Sequence, residues 1–433
     1  MTLLALVLFL AGCGGAPAPR PPNLLVILAD DLDPDHPGFA GNPVARTPSL
    51  DALAAQGAYF PVLLVQPVCR AAHATLLSGR FPHETGIRNN RTAKALAPEA
   101  LLPRRLQARG YATFCAGKLW EGEPAACGFD AAVTDRSFAR GGPEAQAELF
   151  RFLEERAEGE PWFVWWAPNL PHVPHDPPAR LLDAFRDAPV TPPPGFAGDP
   201  AAFAQAERAC LAMEAWLDEA VGALLAKLDA LGQREETLIL FLADNGWATA
   251  SPSKGTPREK GVRSPLVVVP PGAESRARRL ETLVSLVDVH ATLLDYAGAS
   301  HEGRGTSLRP LLEQRPFTPR ERLFGAVFRR SGADGVDGKL VALHVRDARW
   351  KLVTYVRHAD SAILSADASL APPFRRLAGT VELFDLASDP LELTDLSADP
   401  AQAERVQTLR TAALEWWRTT GGDPAELETE NGF

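Results

Sequence analysis

The 433-residue chain has only five cysteines and no excess of positive charge. So few cysteines argue against a disulfide-based framework, which exported small domains often need. The formal net charge of −10 argues against a general nucleic-acid binder, because such proteins neutralise phosphates with clustered lysine and arginine. The 46% hydrophobic content is enough to bury a large core, so the composition predicts a folded chain of one large or two smaller domains.

The cysteines divide by their sequence context. Cys13 lies next to the N-terminal apolar segment, and Cys69 stands alone between two acidic pairs. The other three, Cys115, Cys127 and Cys210, allow at most one bridge and leave one thiol over. We expect all three to be structural, since buried free cysteine behaves as a small hydrophobic residue.

The N-terminal apolar run, residues 3–11, is too short to span a bilayer. The sequence Leu10-Ala11-Gly12-Cys13 resembles the lipobox of bacterial lipoproteins. That resemblance implies lipidation of Cys13, a Pro/Gly-rich tether over residues 14–22, and export to the periplasm or cell envelope. Because the usual basic n-region is missing, an ordinary signal peptide and a misassigned start codon remain alternatives.

Apolar strand-like runs alternate with amphipathic helical stretches along most of the chain. Strands are predicted at 24–29, 111–117, 162–167, 238–242 and 265–269, and helices at 49–56 and 206–231. This alternation predicts an α/β fold with a large, mostly parallel sheet sandwiched by helices. A Pro/Gly-rich loop is expected at 175–200.

The pattern changes near residue 323. Shorter strand-like pieces follow at 340–345, 350–356 and 380–385, and a helical tail covers 400–419. We therefore predict three regions: a signal and tether (1–22), a catalytic domain (23–322) and a smaller C-terminal subdomain with an antiparallel sheet (323–433).

Two acidic pairs stand at the ends of apolar runs: Asp30-Asp31 and Asp244-Asn245. Each pair alone is also typical of a turn or a helix cap. In an open α/β sheet, however, ligands bind beyond the carboxyl ends of strands, so the pairs together favour a site for a hard cation. Cys69 precedes a segment predicted to start a helix, where backbone N–H groups favour an anion.

The chain resembles the sulfatase family of the alkaline phosphatase superfamily over nearly its whole mature length. The matching segments, in family order, are Pro22–Asp31, Asn42-Pro43, Thr47–Ala54, Leu76–His83, Gly110-Tyr111, Gly117-Lys118, Pro171-His172, Asp244-Asn245-Gly246, Lys254-Gly255-Thr256 and Glu382–Leu386 with Asp389-Pro390 and Glu392.

The resemblance implies an alkaline phosphatase-like fold and a metal-dependent sulfuric ester hydrolase. It implies a divalent metal, usually Ca²⁺, bound by Asp30, Asp31, Asp244 and Asn245 beside Cys69. Cys69 would be converted to formylglycine by the formylglycine-generating enzyme, and the hydrated aldehyde would attack sulfur while the metal and cations hold the sulfate oxygens.

Lys118, His172 and Lys254 match the family's sulfate-contacting residues. Taken without the resemblance, a single lysine is more often a solvated surface group, and a histidine beside a proline is more often a loop residue. The family match is therefore what identifies these three side chains as candidates for catalysis.

The chain departs from the family at three places. The family has an arginine four residues after the nucleophile, where this chain has His73, and that arginine takes part both in conversion of the cysteine and in holding the aldehyde. A histidine usual shortly after the Lys118 position is absent, since Leu119-Trp120 follow here, and Lys260 stands in place of a glycine. His172 or His73 would have to supply the missing imidazole.

Three hypotheses follow. The chain is an exported sulfatase acting on sulfate esters, with sulfated carbohydrate as the expected substrate. Alternatively, it hydrolyses phosphate esters or diesters on the same fold, with unmodified Cys69 or a metal-activated water. As a third hypothesis, it is a pseudo-sulfatase that binds sulfated polymers without turnover. The loops at 122–142 and 175–200 would form the pocket wall, and Trp120, Trp165, Trp166 and Trp247 are candidates for stacking on sugars or for the core.

Overall fold

The structure, a computed structural model, describes residues 20–134, 146–156, 159–272, 277–330, 338–360, 370 and 374–428. The predicted lipidation site Cys13 and the tether up to residue 19 lie outside the described residues, as do residues 135–142 of the predicted wall loop. In the described part of the chain, no helix combines the length and apolar composition needed to cross a bilayer.

The main sheet contains nine strands of the described chain. They are β1 (Asn23–Ala29), β2 (Ala58–Leu64), β3 (Ala112–Gly117), β4 (Ala131–Val133), β5 (Trp162–Ala167), β6 (Thr237–Ala243), β7 (Arg263–Val269), β8 (Arg278–Arg279) and β9 (Val284–Ser285). Their order is β4-β3-β5-β1-β6-β7-β2-β8, and β9 pairs with β2. All pairs from β4 to β6 are parallel, whereas β7 is antiparallel to both neighbours. The predicted α/β fold with a mostly parallel sheet is confirmed.

Helices cover both faces of this sheet. The helices before the second sheet are α1 (Pro48–Gln56), α2 (Cys69–Ser78), α3 (Pro82–Thr85), α4 (Leu102–Gln107), α5 (Pro124–Cys127), α6 (Ala147–Glu155), α7 (Ala179–Ala184), α8 (Pro200–Ala230), α9 (Glu259–Val262), α10 (Leu286–Tyr296) and α11 (Arg309–Leu312). Alternate residues of β1 point to opposite faces. Leu25 and Ile27 pack in one core cluster with α8, and Leu24 and Val26 pack in another with α2 and α10.

The long helix α8 was predicted over 206–231 and begins six residues earlier, at Pro200. Asp199 explains the early start, because its carboxylate accepts a hydrogen bond from the Ala201 amide at 2.9 Å and proline is favoured in the first turn. The apolar stripe from Leu211 to Leu228 packs on the sheet as expected. Gly232, with a φ of 66°, follows the helix end.

Several elements of the main domain were not predicted, among them strand β2 and helix α10. Strand β2 contains Pro61, which argues against a paired strand, yet its register with β7 shifts between Phe60 and Leu63, and such an irregularity accommodates proline. Helix α10 begins at a capping box in which the Ser285 amide donates to Asp288 at 2.9 Å. The Ser-x-x-Asp pattern could have revealed this helix from sequence.

A second, antiparallel sheet has the order β10-β11-β12-β15. Its strands are β10 (Leu323–Phe328), β11 (Leu340–Arg346), β12 (Trp350–Tyr355) and β15 (Val381–Asp385), and β13 (Ala359–Asp360) and β14 (Arg375–Arg376) form a separate two-stranded sheet. Helix α12 (Ala403–Thr419) packs on this sheet through Leu409, Trp416 and Trp417. The predicted antiparallel sheet and helical tail are confirmed, and the division at residues 22 and 322 stays a prediction.

The four described cysteines are free and buried. Cys115 lies in β3, Cys127 ends α5 and Cys210 lies in α8. The predicted loop at 175–200 contains the short helix α7 and is otherwise irregular.

Candidate active site

The two acidic pairs emerge side by side from the sheet. Ala29 at the end of β1 is in register with Ala243 at the end of β6, so the residues that follow them start at the same level. The Asp244 amide donates to the Ala29 carbonyl at 3.0 Å, and the Asp31 amide donates to Asp244 Oδ1 at 3.2 Å. Strand pairing therefore brings together carboxylates that are 213 residues apart.

The adjacent parallel strands deliver two further candidates to the same edge. The Asp30 amide donates to the Leu170 carbonyl at 2.9 Å, which places His172 just beyond β5. The Lys118 amide donates to the Ala167 carbonyl at 2.8 Å, so Lys118 follows the end of β3 at the same level. The site thus lies beyond the carboxyl ends of the neighbouring strands β1, β3, β5 and β6, where open α/β sheets bind ligands.

Cys69 is the first residue of α2, as the sequence predicted for a helix start near this position. Its Sγ lies 3.6 Å from Asp30 Oδ1 and 4.0 Å from Asp31 Oδ1, and the side chain is buried. One ligand atom each from Asp30, Asp31, Cys69 and His172 lies within 4.8 Å of the others. Burial raises the pKa of the Cys69 thiol, and the Asp244 carboxylate raises it further.

The donor atoms around Cys69 fit a hard cation. Asn245 Oδ1 is buried and has no hydrogen-bond partner among the described residues, and the buried Asp244 Oδ2 has only longer contacts, to His73 Nε2 at 3.5 Å and Lys118 Nζ at 3.6 Å. Asn245 Nδ2 donates to Asp31 Oδ1 at 2.6 Å, which holds the amide with Oδ1 free for another ligand. A buried acceptor without a partner costs free energy, and oxygen atoms of carboxylates and amides are the ligands of Ca²⁺.

Two lysines neutralise part of this acidic cluster. Lys118 Nζ lies 2.7 Å from both carboxylate oxygens of Asp30, and Lys254 Nζ lies 2.7 Å from Asp31 Oδ2. Burial alone lowers the pKa of Lys118, but the charges of Asp30 and Asp244 outweigh this effect and raise it above the ordinary value. Neither lysine is the solvated surface group that a single lysine usually is.

His172 completes the cluster. Its Nδ1 lies 2.6 Å from the Val173 carbonyl, so this nitrogen carries the proton and donates. Its Nε2 lies 3.3 Å from Lys254 Nζ and 3.3 Å from Asp31 Oδ2. The imidazole is therefore oriented with Nε2 towards the same carboxylate that binds Lys254.

The residue in the family's arginine position, His73, also lies in the site. It is buried one turn into α2, with Nε2 3.5 Å from Asp244 Oδ2 and its ring edge-to-face with Trp165 at 5.4 Å. Burial raises the pKa of Asp244, whereas Lys118 and His73 lower it, and the net result is a pKa below the ordinary value.

Arg70 does not replace the missing arginine. Its Nε donates to Glu121 at 3.0 Å and its Nη2 donates to the Lys94 carbonyl at 2.8 Å, away from the acidic pairs. Its amide donates to Asn90 Oδ1 at 2.9 Å, which holds the start of α2. Sequence reasoning missed Asn90 and Glu121, because no local pattern links them to Arg70.

The other departures also have a structural account. Trp120, near the position of the missing histidine, lies beside Lys118 with 5.3 Å between Nζ and the ring centroid. Lys260 pairs with Asp33 at 2.5 Å and Asp35 at 2.9 Å. Among the candidate tryptophans, Trp165 and Trp166 are fully buried in the core.

The structure thus brings together all nine candidate residues proposed from the sequence. They are Asp30, Asp31, Cys69, His73, Lys118, His172, Asp244, Asn245 and Lys254.

Comparisons with known proteins identify the family of this chain. A family model described as Sulfatase matches residues 22–299. Human (Homo sapiens) arylsulfatase A is 30% identical over 94% of this chain and 90% of its own length. N-acetylgalactosamine-6-sulfatase of Canis lupus familiaris is 29% identical over 68% of this chain, and the match spans 66% of that relative's length.

A solved structure supports the same fold. The protein BT4656, solved in complex with its substrate D-glucosamine-2-N,6-O-disulfate, superposes with a TM-score of 0.79 at 19% identity, covering 94% of this chain and 99% of its own. With the family model matching well over half of the residues, the chain belongs to the sulfatase family.

Proposed function

We propose that this protein hydrolyses sulfate esters, with Cys69 converted to formylglycine as the nucleophile. The observation that carries the proposal is the convergence of Asp30, Asp31, Cys69 and His172 within 4.8 Å at the carboxyl edge of the sheet. The sulfatase family match gives the reaction class, and the hydrated aldehyde would offer a hydroxyl group for attack on sulfur.

Asp30, Asp31, Asp244 and Asn245 would hold a divalent cation next to position 69. Ca²⁺ suits this set, because the four side chains offer oxygen ligands and Asn245 Oδ1 is buried without a hydrogen-bond partner among the described residues. When bound, the cation would supply positive charge that stabilises the sulfate oxygens in the transition state.

The side chains around this group divide the remaining work. Lys118 and Lys254 are buried ammonium groups that would donate to sulfate oxygens once the ester displaces them from their carboxylates. His172, with its proton on Nδ1 and Nε2 turned to the site, would exchange a proton at Nε2 with the leaving oxygen. His73 would hold Asp244 through Nε2.

In the absence of a bound cation, the direction of the Cys69 pKa weighs against an unmodified cysteine as the nucleophile. Burial and the Asp244 carboxylate both raise it, so the thiol form is favoured at neutral pH. The thiolate is the nucleophilic form of cysteine. The hydrated aldehyde of formylglycine does not depend on this ionisation, and the sulfatase family match favours it over a cysteine-dependent phosphoesterase.

A pseudo-sulfatase that binds sulfated polymers is the second candidate, and His73 is the observation that favours it. An imidazole replaces the arginine that the resemblance assigns to cysteine conversion, and Arg70 is committed to Glu121. In that case the acidic edge would retain its cation and its anion contacts while position 69 stays cysteine.

We further propose sulfated carbohydrate as the substrate class and export as the location. One relative is named N-acetylgalactosamine-6-sulfatase, and the solved neighbour BT4656 is in complex with a disulfated glucosamine. Both support sulfated carbohydrate as the substrate class. The lipobox-like sequence ending in Cys13 supports a lipid anchor in the periplasm or cell envelope.

Mass spectrometry of the peptide that contains position 69 tests the proposal. The protein would be produced together with a formylglycine-generating enzyme and assayed with an aryl sulfate and the matching aryl phosphate. We expect formylglycine at position 69 and turnover of the sulfate that Cys69→Ala abolishes, while the buried Cys115→Ala control retains it. An intact thiol with no sulfate turnover would support the pseudo-sulfatase, and turnover that survives Cys69→Ala would refute the assigned nucleophile.

A further inference from the structure

A second group of metal-ligating side chains lies between helix α8 and the loop that follows β1. His36 belongs to this loop, and Cys210 and Glu214 lie one turn apart on α8. All three are buried, and their ligand atoms lie within 4.8 Å of one another. Residues i and i+4 of a helix share a face, so Cys210 and Glu214 both point to His36.

The distances match those between ligands of one ion. His36 Nδ1 lies 2.8 Å from Glu214 Oε1, and Cys210 Sγ lies 3.7 Å from the same oxygen. Zn²⁺ binds nitrogen and oxygen at about 2.0–2.1 Å and sulfur at about 2.3 Å, which in a tetrahedral site puts ligand atoms roughly 3–4 Å apart. Glu214 Oε2 is buried and has no hydrogen-bond partner among the described residues.

Glu207 supplies a support typical of metal-bound histidine. Its Oε1 lies 3.0 Å from His36 Nε2, whereas Nδ1 is the nitrogen beside Glu214. A carboxylate that accepts the second N–H of a histidine fixes the tautomer with the other nitrogen free for a metal. Asp33 Oδ2 lies 3.6 Å from the same Nε2 and is also paired with Lys260.

We propose that His36 Nδ1, Cys210 Sγ and the Glu214 carboxylate form a second metal site, for a zinc-like cation. Sulfur and nitrogen ligands select such a cation over Ca²⁺, which prefers oxygen alone. Without a metal, each ring nitrogen of His36 faces a carboxylate and carries a proton. Binding of Zn²⁺ displaces the thiol proton of Cys210 and the Nδ1 proton of this imidazolium to solvent. The two released protons balance the two positive charges of the bound Zn²⁺, so the net charge of the buried group is unchanged. No redox step is involved.

This site has a structural task that is independent of the proposed hydrolysis. It joins α8 to the loop that carries Asp30 and Asp31 out of β1, and the partners His36 and Glu214 are 178 residues apart. A metal bridge across so long a separation stabilises the fold, because the unfolded chain does not preform the site.

Cobalt substitution tests the proposal with a readout other than activity. The full chain would be prepared with Cys69→Ala, which removes the thiol of the candidate active site, stripped with a chelator and titrated with Co²⁺. We expect thiolate-to-cobalt charge-transfer absorption that saturates at one equivalent of cobalt, in addition to any Co²⁺ bound without a thiolate by the oxygen ligands of the candidate active site. Adding Cys210→Ala should abolish that absorption, whereas adding Cys115→Ala, a buried thiol in β3, should leave it unchanged.

His36→Gln provides a second variant and should weaken cobalt binding at least tenfold. Circular dichroism would establish that each variant is folded. If Cys210→Ala does not fold, zinc-edge X-ray absorption of the folded Cys69→Ala protein decides, with one sulfur among nitrogen and oxygen ligands expected. A spectrum without sulfur ligation, or thiolate absorption that persists after Cys210→Ala, would overturn the second site.

Discussion

Replacement of Lys351 by methionine should strongly destabilise the protein. Lys351 is fully buried in β12, and its Nζ lies 3.0 Å from Glu259 Oε1 and 3.0 Å from Glu392 Oε1. Glu259 begins α9, in the segment that follows Lys254, so this ammonium group connects the second sheet to the segment that bears a candidate catalytic residue.

The size of the effect depends on which partners Glu259 and Glu392 retain when Lys351 is replaced. Glu259 retains Arg346 at 2.5 Å, but Glu392 is left with the Glu259 amide at 2.6 Å and a distant Arg258 at 4.0 Å. Removing one partner of a buried ion pair typically costs about 3–5 kcal/mol, because a buried charge is left uncompensated. Since Glu259 stays paired, we expect about 3 kcal/mol.

Urea denaturation followed by tryptophan fluorescence would measure the loss as a lower unfolding midpoint. Arg349→Met is the matched control, because Arg349 pairs with Asp385 near the same strand but is largely exposed, and exposed pairs contribute little. A Lys351→Met midpoint equal to that of the Arg349→Met control would refute the claim that this buried ammonium group connects the second sheet to the segment that bears Lys254.

Three other predictions concern pH, metal affinity and packing. Burial lowers the pKa of His290 to about 4 in the folded protein. As the pH falls, the unfolded chain therefore binds a proton at this histidine before the folded protein does. Up to about 3 kcal/mol of stability should be lost between pH of about 6.5 and about 4. His290→Gln should flatten the pH dependence of the melting temperature, unlike His358→Gln at an exposed site; equal slopes would contradict this. Asp244→Asn should weaken calcium binding at least tenfold by calorimetry, and unchanged affinity would remove Asp244 from the ligand set. Leu217→Ala should cost about 2–5 kcal/mol in chemical denaturation, against little change for the exposed Leu182→Ala, because Leu217 is buried under the sheet.

The convergence of the acidic pairs could be predicted because local signals sufficed. The runs before Asp30 and Asp244 are apolar throughout, as expected for strands buried on both faces, and both strands are fully buried. Parallel strands release their next residues at one edge, so strand identity alone placed Asp30 near Asp244. The position of Cys69 followed from its helix and from the family resemblance.

Features that depend on tertiary pairing could not be predicted. Strand β2 pairs despite Pro61, because its register shifts there, and no sequence signal reveals a bulge in advance. Lys260 is explained by its ion pairs with Asp33 and Asp35, which lie far from it in sequence and are not revealed by any local pattern. The group around His36 was missed for the same reason, since its ligands come from a loop and a distant helix.

A crystal structure of the protein grown with calcium tests the central claim most directly. We predict one ion bound by oxygens of Asp30, Asp31, Asp244 and Asn245, at distances of about 2.3–2.6 Å, next to the side chain at position 69. An ion bound elsewhere, or these four side chains arranged without a common cation at saturating calcium, would contradict the account.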